Sequence, residues 1–235
     1  MRPVPDPGPI GSEVTPPLMV VSPHLDDGVF GCGDLIGLHP GATVVTVFAG
    51  AAPAEQPLTD WDRNCGFRDG MQAMAQRRAE DAAALKSLDA RPLWLDFPDA
   101  QYRGQPLYPG ALAECLRAVL DAQSPPTIVA PLGVFHDDHR LTSEALLQLH
   151  AADARADWLV YADALYRFIP GLRAERLEEL ASRGLTLEPM REQRVATQRK
   201  RDAAAHYASQ LRALRLPGHV STETIFAPEQ YWRLR

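Results

Sequence analysis

Two short segments of this 235-residue chain place histidine and aspartate side chains at close spacing. Residues 22–27 read SPHLDD and residues 136–139 read HDDH, so three of the seven histidines fall in these two segments. Imidazole nitrogens and carboxylate oxygens are ligands that zinc takes in catalytic sites, commonly three of them with water in the fourth position. His24 and Asp27, joined by one histidine of the second segment, would supply three such ligands. A divalent metal lowers the pKa of its bound water, which a neighbouring carboxylate can then deprotonate.

Each segment taken alone also fits a turn or a helix cap, because aspartate side chains favour both positions. The order of predicted elements favours a metal site. Short β-branched or apolar runs alternate with helical patterns, as in an α/β fold with a mainly parallel sheet. The two segments follow the first and fourth predicted strands, at the strand ends where open α/β sheets bind ligands. Strands are predicted at 18–21, 43–48, 93–95, 127–130 and 158–161, and helices at 29–38, 70–88, 111–120 and 141–150.

The rest of the chain is predicted to be mostly helical. A long helix is expected near 192–214 and short extended pieces at 219–226, with His219 as a hypothetical active-site residue. The loop after the second strand exceeds 15 residues and contains Trp61, a candidate lid. Residues 1–17 form a Pro-rich tail and residues 18–235 a single domain. Because the tail lacks the features of a signal peptide and no apolar run would span a membrane, we expect a cytoplasmic protein.

Composition excludes several classes of protein. The net charge is -6 and the 24 basic residues form no block, which argues against a nucleic-acid partner. Cys32, Cys65 and Cys115 contain no CxxC pair, so neither a zinc ribbon nor a disulfide framework is supported. Residues 28–33 have glycines spaced GxxGxG rather than GxGxxG, which disfavours a dinucleotide oxidoreductase.

Five segments in order resemble the LmbE/PIG-L family of N-acetylglucosaminyl deacetylases. Residues 22–27 resemble its PHxDD signature, and residues 136–139 resemble its HPDH motif with Asp137 in place of proline. The segments at 77–80, 97–103 and 161–166 resemble three further motifs of the family. The resemblance covers residues 18–170 and implies a Rossmann-like three-layer fold with a helical, partly extended C-terminal portion. This chain has Gly28 where many members have glutamate, Asp89 where glycine is usual, and Val134 where some members have a tyrosine.

The resemblance also implies roles for individual residues. Asp26 matches the base that activates the attacking water, and His136 matches the residue that stabilises the oxyanion or protonates the leaving amine. Asp138 would orient a histidine, as residues around metal ligands commonly do. Three positions match the ligands of one zinc ion or another divalent metal: His24, Asp27 and His139. Five residues are candidates for substrate binding: Arg77, Asp99, Tyr102, Arg103 and Tyr166.

We therefore expect a zinc-dependent N-deacetylase acting on an N-acetylated amino sugar or a related small metabolite, with no nucleic-acid or membrane partner. Its oligomeric state stays open. One alternative is a metal-dependent hydrolase of another amide or an ester on the same fold. Another is a non-catalytic α/β ligand-binding domain, in which the aspartates only cap helices. Arg77 and Glu80 also fit an ordinary surface ion pair on a helix, and the tyrosines also fit the edge of the core.

Overall fold

Parallel strands whose side chains are buried on both faces occupy the centre of the molecule. The computed structural model describes residues 14–53, 55–152, 156–190, 197–217 and 221–235. The parallel strands are β1 (Leu18–Ser22), β2 (Thr43–Thr46), β3 (Arg91–Trp94), β4 (Thr127–Pro131) and β5 (Asp157–Tyr161). Two antiparallel strands, β6 (Leu187–Pro189) and β7 (Tyr231–Leu234), complete one edge. β1 and β4 are buried at every position, as expected for strands covered on both faces.

Helices cover both faces of this sheet, which makes the fold three-layered. Longer helices are α1 (Asp27–Leu38), α3 (Gly70–Ser87), α4 (Pro109–Gln123), α5 (Asp137–His150) and α6 (Leu172–Ser182). Shorter ones are α2 (Asp60–Cys65), α7 (Gln198–Ala205) and α8 (Ala208–Leu214), with 3₁₀ turns at Ala100–Tyr102 and Thr222–Phe226. Alternate side chains of β1 are buried in two hydrophobic cores, one on each face of the sheet. Val20 packs in the core that includes α1 and α7, and Val21 packs in the core that includes α4 and α5. None of the described helices is long and apolar enough to cross a membrane.

The strand order places the loops after β1 and β4 beside each other. The order across the sheet is β3-β2-β1-β4-β5-β7-β6, so the chain winds outward in both directions from the β1–β4 pair. Neighbouring loops diverge at such a switch point and leave a crevice outside the strand ends. The α/β fold, its mainly parallel sheet and the adjacency of the two His/Asp segments are confirmed.

Three local predictions are wrong. The long helix expected near 192–214 is two helices, α7 and α8, which are separated where the buried Tyr207 leaves helical geometry and donates a hydrogen bond to Asp81. Of the pieces expected to be extended, residues 222–226 form a 3₁₀ turn, and His219 lies outside the described residues. The long loop after β2 contains α2, whose start is capped by Thr59 and whose end is closed by Gly66 at φ 90°. At six residues, α2 is too short to show a helical period.

The end of the segment expected to be a tail touches the domain. Val14 is buried in the core that includes α1, and the backbone oxygen of Thr15 accepts a hydrogen bond from the Thr127 hydroxyl at 2.8 Å. The chain therefore packs against the end of β4 a few residues before β1 begins. The antiparallel strands β6 and β7, of three and four residues, were not predicted.

Candidate active site

The loop after β1 is folded tightly by its own polar groups. The Ser22 hydroxyl donates to the His24 carbonyl at 2.6 Å and accepts from the Gly28 N–H at 2.8 Å. The Asp26 N–H also donates to the His24 carbonyl at 3.0 Å, which closes a three-residue turn. These bonds place His24 and Asp27 on one side of the loop at the start of α1.

Three side chains converge from the two loops on one point. Asp27 Oδ2 lies 3.1 Å from His24 Nδ1 and 3.1 Å from His139 Nε2. All three donor atoms lie within 4.8 Å of one another, a separation that a single metal ion can bridge. The three predicted metal ligands are thus brought together, and their two-nitrogen, one-oxygen donor set fits a catalytic divalent cation.

Both histidines are held from behind by a carboxylate. His24 Nε2 lies 3.0 Å from Asp138 Oδ2, and His139 Nδ1 lies 2.5 Å from Asp163 Oδ1. Metal-ligating histidines usually donate their second N–H to such a partner, which fixes the tautomer and the ring orientation. The arrangement therefore leaves one nitrogen of each ring free to face Asp27.

The electrostatics of the cluster favour positive charge at this point. Burial lowers the pKa of His139, but Asp27 and Asp163 raise it to about 9. Burial also lowers the pKa of His24, yet its hydrogen bonds to Asp138 and Asp27 raise it well above the ordinary value. Burial raises the pKa of Asp27, and the two histidines bring it well below the ordinary value. The carboxylates thus stabilise positive charge here, whether on the rings or on a bound cation.

A second grouping of His24, His136 and Asp138 also has metal-ligand spacing, but its carboxylate is already engaged. Asp138 is fully buried, and its Oδ2 accepts from the Ala100 N–H at 2.9 Å besides contacting His24. Its Oδ1 forms an ion pair with Arg103 at 2.5 Å. Asp138 is therefore placed to orient His24, and the grouping around Asp27 is the better metal site.

Two titratable side chains beside the cluster have no place in its ligand set. Asp26 is buried next to Asp27 and makes no capping bond to α1, and burial together with the charge of Asp27 raises its pKa well above the ordinary value. His136 precedes α5, and its Nδ1 accepts from the Asp138 N–H at 3.2 Å. Burial and the neighbouring His24 and His139 lower the pKa of His136, which favours its neutral form. With Nδ1 accepting, the proton of that neutral ring is on Nε2.

A cavity of about 410 Å³ opens onto the cluster, within the usual size range of small-molecule sites. Three of the five predicted substrate residues line it: Arg77, Asp99 and Tyr166. The other two support the wall from behind. The Tyr102 hydroxyl donates to Asp62 at 2.7 Å, and Arg103 lies over the Phe48 ring at 4.9 Å while pairing with Asp138. The expectation that Tyr102 and Arg103 line the pocket is not met.

Arg77 belongs to a buried network and does not form a surface pair. It is 5% exposed and binds Asp62 at 2.8 Å, with Asp99 at 3.7 Å. Glu80 is buried as well and accepts from the Ser209 hydroxyl at 2.6 Å. The alternative of a solvated ion pair on the helix is wrong because α3 is covered by α2 and the end of the chain.

Sequence reasoning gave no role to several residues of the site. Asp163 lies two residues after β5, and its position at a strand end is the signal that identifies it. Its Oδ2 accepts from the Gly133 N–H at 3.0 Å, so it supports the second loop as well as His139. The candidate lid residue Trp61 lines the cavity from α2 and donates to Gln210 at 3.0 Å. Other lining residues without a predicted role are Phe48, Gln101, Phe135 and Gln210.

Two departures from the family motifs have structural explanations. Asp89, which stands where glycine is usual, adopts a left-handed conformation at φ 55°, which aspartate tolerates better than most residues. Val134 is buried and lines no part of the cavity. Tyr161 is buried and donates to the Val21 carbonyl, whereas Tyr166 lines the cavity.

Residues 19–150 match the profile of the PIG-L family, GlcNAc-PI de-N-acetylase. The match covers more than half of the chain, so this protein belongs to the PIG-L family, as the sequence resemblance predicted. No curated protein sequence matches it significantly.

Solved structures of deacetylases share the fold over nearly the whole chain. The A40926 pseudoaglycone deacetylase is 25% identical, with a TM-score of 0.74 over 93% of this chain and 96% of its own. The zinc-inhibited form of a teicoplanin deacetylase is 21% identical, with a TM-score of 0.75 over 93% and 97%. The N,N'-diacetylchitobiose deacetylase from Pyrococcus horikoshii is 16% identical, with a TM-score of 0.53 over 93% and 83%. Membership of the family favours an N-deacetylase over a non-catalytic ligand-binding domain.

Proposed function

We propose that this protein hydrolyses the acetamide of an N-acetylated amino sugar at the cavity beside β1 and β4, with a zinc ion held by His24, Asp27 and His139. The observation that carries the proposal is the convergence of these three donors, with a carboxylate behind each histidine. The solved deacetylases of the same fold, one of which is an N,N'-diacetylchitobiose deacetylase, support the class of reaction.

The donor set accounts for the type of cation. Two imidazole nitrogens and one carboxylate oxygen suit zinc, and three protein ligands leave coordination positions open. A cation bound there polarises the acetamide carbonyl and makes a coordinated water acidic near neutral pH. Asp138 and Asp163 hold the two rings in place, so the donors are oriented before substrate enters.

Asp26 is the proposed general base. It lines the cavity directly beside Asp27, and its carboxylate is not used to cap α1. One aspartate of the pair is then a ligand while the other accepts a proton from the attacking water at a carboxylate oxygen. Positioned general bases typically contribute about 10²–10⁴-fold to rate.

His136 is the proposed donor to the oxyanion. Its Nδ1 accepts the Asp138 N–H, so the Nε2–H is the group left to donate. The ring lies 4.9 Å from the His24 ring, centroid to centroid, and lines the cavity. This geometry favours oxyanion stabilisation over transfer of a proton to the leaving amine, the other role that the family resemblance implies. Backbone capping holds the ring in that orientation without a further side chain.

Recognition of the sugar is proposed for the polar part of the cavity lining. Asp99 offers carboxylate oxygens to sugar hydroxyls, and Gln101 donates to Asp99 at 3.0 Å and orients it. Arg77 pairs with Asp62 and faces Asp99, so its positive charge offsets part of the negative charge of these two carboxylates. Tyr102 and Arg103 then act as positioning residues behind this wall, and Tyr166 contacts the substrate directly.

The test is Asp26→Asn, compared with Asp137→Asn in the other loop. Asp137 is exposed and binds none of the site residues described above. We expect Asp26→Asn to lower acetate release from N-acetylglucosamine glycosides by about 10²–10⁴-fold while the metal content per chain stays the same. Asp137→Asn should retain the wild-type rate of acetate release and the wild-type metal content. Full activity of Asp26→Asn would exclude it as the base, and absence of acetate release by the wild-type protein would exclude the reaction.

A further inference from the structure

Phe135 has a backbone conformation that its side chain disfavours. Its φ is 66°, and the Val134 carbonyl accepts from the His136 N–H at 2.8 Å, so Phe135 is the central residue of a three-residue turn of the strained, positive-φ type. An L-residue other than glycine, asparagine or aspartate in the left-handed region costs about 1–2 kcal/mol. Glycine would form the same turn without this cost. The turn therefore does not explain why phenylalanine stands here.

Packing in the folded state does not explain the phenylalanine at position 135 either. The Phe135 side chain is 61% exposed, so it gains little from burial in the folded state. Its ring contacts Tyr166, with centroids 4.8 Å apart and planes inclined by 30°. It also lines the cavity of the active site. A large apolar ring that is both strained and exposed, at the entrance to a site, points to a ligand contact.

The position of the ring relative to the metal ligands indicates which part of a substrate it meets. Tyr166 packs edge-on against His139, with centroids 5.3 Å apart, and the Tyr166 ring also contacts Phe135. Phe135 is thus two ring contacts away from a metal ligand. The acetamide must reach the metal ligands, so a group that reaches Phe135 belongs to a more distant part of the molecule. Leu165, beside Tyr166 in sequence, extends the apolar lining.

We propose that Phe135, supported by Tyr166, is a stacking platform for a flat aromatic aglycone of the amino sugar. This inference rests on the proposed function and names its substrate class: aromatic glycosides or glycoconjugates of an N-acetylated amino sugar rather than the free sugar. A rigid ring on an open surface suits a flat partner, because offset stacking needs only one accessible face. A flexible acyl chain would gain more from an enclosed channel than from an exposed ring.

The first experiment compares the phenyl and methyl β-glycosides of N-acetylglucosamine. We expect wild-type kcat/KM to favour the phenyl glycoside by about 2–12-fold, the range that corresponds to one aromatic pair. Phe135→Asn should bring the ratio close to one, whereas Phe135→Tyr should keep it. Phe168→Ala is the matched control, since Phe168 is equally exposed but does not line the cavity. A wild-type ratio of one, or a ratio that Phe135→Asn leaves intact, overturns the proposal.

The thermal midpoint separates a ligand contact from a packing role. Asparagine tolerates the left-handed region, so Phe135→Asn should unfold at or above the wild-type Tm. A fall of more than about 4 °C, equivalent to roughly 1 kcal/mol or more for a chain of this size, together with an equal loss on both glycosides, would make Phe135 a packing residue and overturn the proposal.

Two further measurements show whether Phe135 meets the aglycone or the acyl group, and separate this inference from the proposed function. Dissociation constants of both glycosides, measured by calorimetry in Asp26→Asn, report the phenyl preference without turnover. If that preference depends on Phe135 while the wild-type protein releases no acetate, the platform stands and the proposed reaction fails. If acetate is released equally from both glycosides, the reaction stands and the platform fails. A Phe135-dependent preference for N-hexanoyl over N-acetyl groups would assign the ring to the acyl side and overturn the aglycone assignment.

Discussion

The loops after β1 and β4 both position residues of the candidate active site, but their backbone conformations differ. Each brings at least one proposed metal ligand to the start of a helix, and each contains a three-residue turn. The first loop has no residue in the left-handed region, is buried apart from the half-buried His24, and is closed by the hydrogen bonds of Ser22. The second has Gly133 at φ 78° and Phe135 at φ 66°, and exposes Phe135.

The difference separates two functions of the site. The first loop is held by internal hydrogen bonds and close packing, and carries the proposed base Asp26 and the proposed ligands His24 and Asp27. The second loop bends sharply, places His136 where it caps α5, and turns an aromatic ring toward the entrance. We interpret the first loop as the part that serves the chemistry common to the family, and the second as the part that also adapts the site to a substrate.

The largest expected effect comes from removing a ligand of either loop. His24→Ala and His139→Ala should each lose the bound metal and lower activity by about 10³-fold or more, because Lewis-acid catalysis supplies several kcal/mol and each 1.36 kcal/mol is tenfold in rate. Metal content of the purified protein and acetate release are the measurements. Retention of one ion per chain by either variant would contradict the ligand assignment.

The same two variants, freed of metal with a chelator, compare how much each histidine contributes to the stability of its loop. His139→Ala leaves the buried Asp163 with the hydrogen bond from the Gly133 N–H but without its histidine, and should cost about 1–3 kcal/mol of unfolding free energy. His24→Ala should cost less, because Asp138 keeps the Ala100 N–H and Arg103. Urea unfolding of the metal-free variants measures both values, and equal losses would contradict the asymmetry.

The next largest effect is expected from substitutions of glycine in the two loops, which change the unfolding free energy. A Cβ at Gly133 would lie 2.4 Å from the Ser143 Cβ and 2.9 Å from the His139 carbonyl, at positive φ. Gly133→Ala should therefore destabilise the protein by about 2–4 kcal/mol, from left-handed strain and overpacking together.

Gly28→Ala provides the matched change in the first loop. Its Cβ would meet Val44 at 3.1 Å and Ser22 at 3.2 Å, contacts that small shifts can relieve. Because alanine also favours the helix by about 1 kcal/mol over glycine, the net change should stay below about 1 kcal/mol. Similar unfolding free energies for the two variants would show that the loops do not differ as described.

The weakest expected effect on metal binding comes from the carboxylates behind the histidines. Asp163→Asn and Asp138→Asn should each weaken metal binding by about 10–100-fold, since such partners orient the ligating rings and raise their basicity. Competition with a chromogenic chelator measures the affinity, with Asp137→Asn as the control. An unchanged affinity in both variants would mean that the ligands need no support from the surrounding carboxylates.

Much of this site follows from sequence because its signals are local. SPHLDD and HDDH each end a strand pattern, and parallel strands bring such ends to one edge of the sheet. Asp163 was quoted within a motif but received no role, since nothing in its own neighbourhood shows that it meets His139. Tyr102 and Arg103 were expected in the pocket because they belong to a segment that resembles a family motif, yet their side chains turn into the wall. Side-chain direction in a loop depends on partners that are distant in sequence, here Asp62 and Asp138.

The sequence alone therefore predicted the fold class, the family and the type of chemistry, and its family resemblance named the three candidate donors, because strand patterns and ligand types are written in short, contiguous segments. Only the tertiary structure decided which nitrogen of each histidine faces Asp27, which carboxylate supports which ring, and which aromatic side chain stands at the entrance. Those features depend on backbone dihedrals and on contacts between segments far apart in the chain. The strained turn at Phe135 is such a feature. The sequence of the turn, Val-Phe-His, is ordinary for a connection between a strand and a helix, and only the fold shows that the Phe135 ring is exposed to solvent.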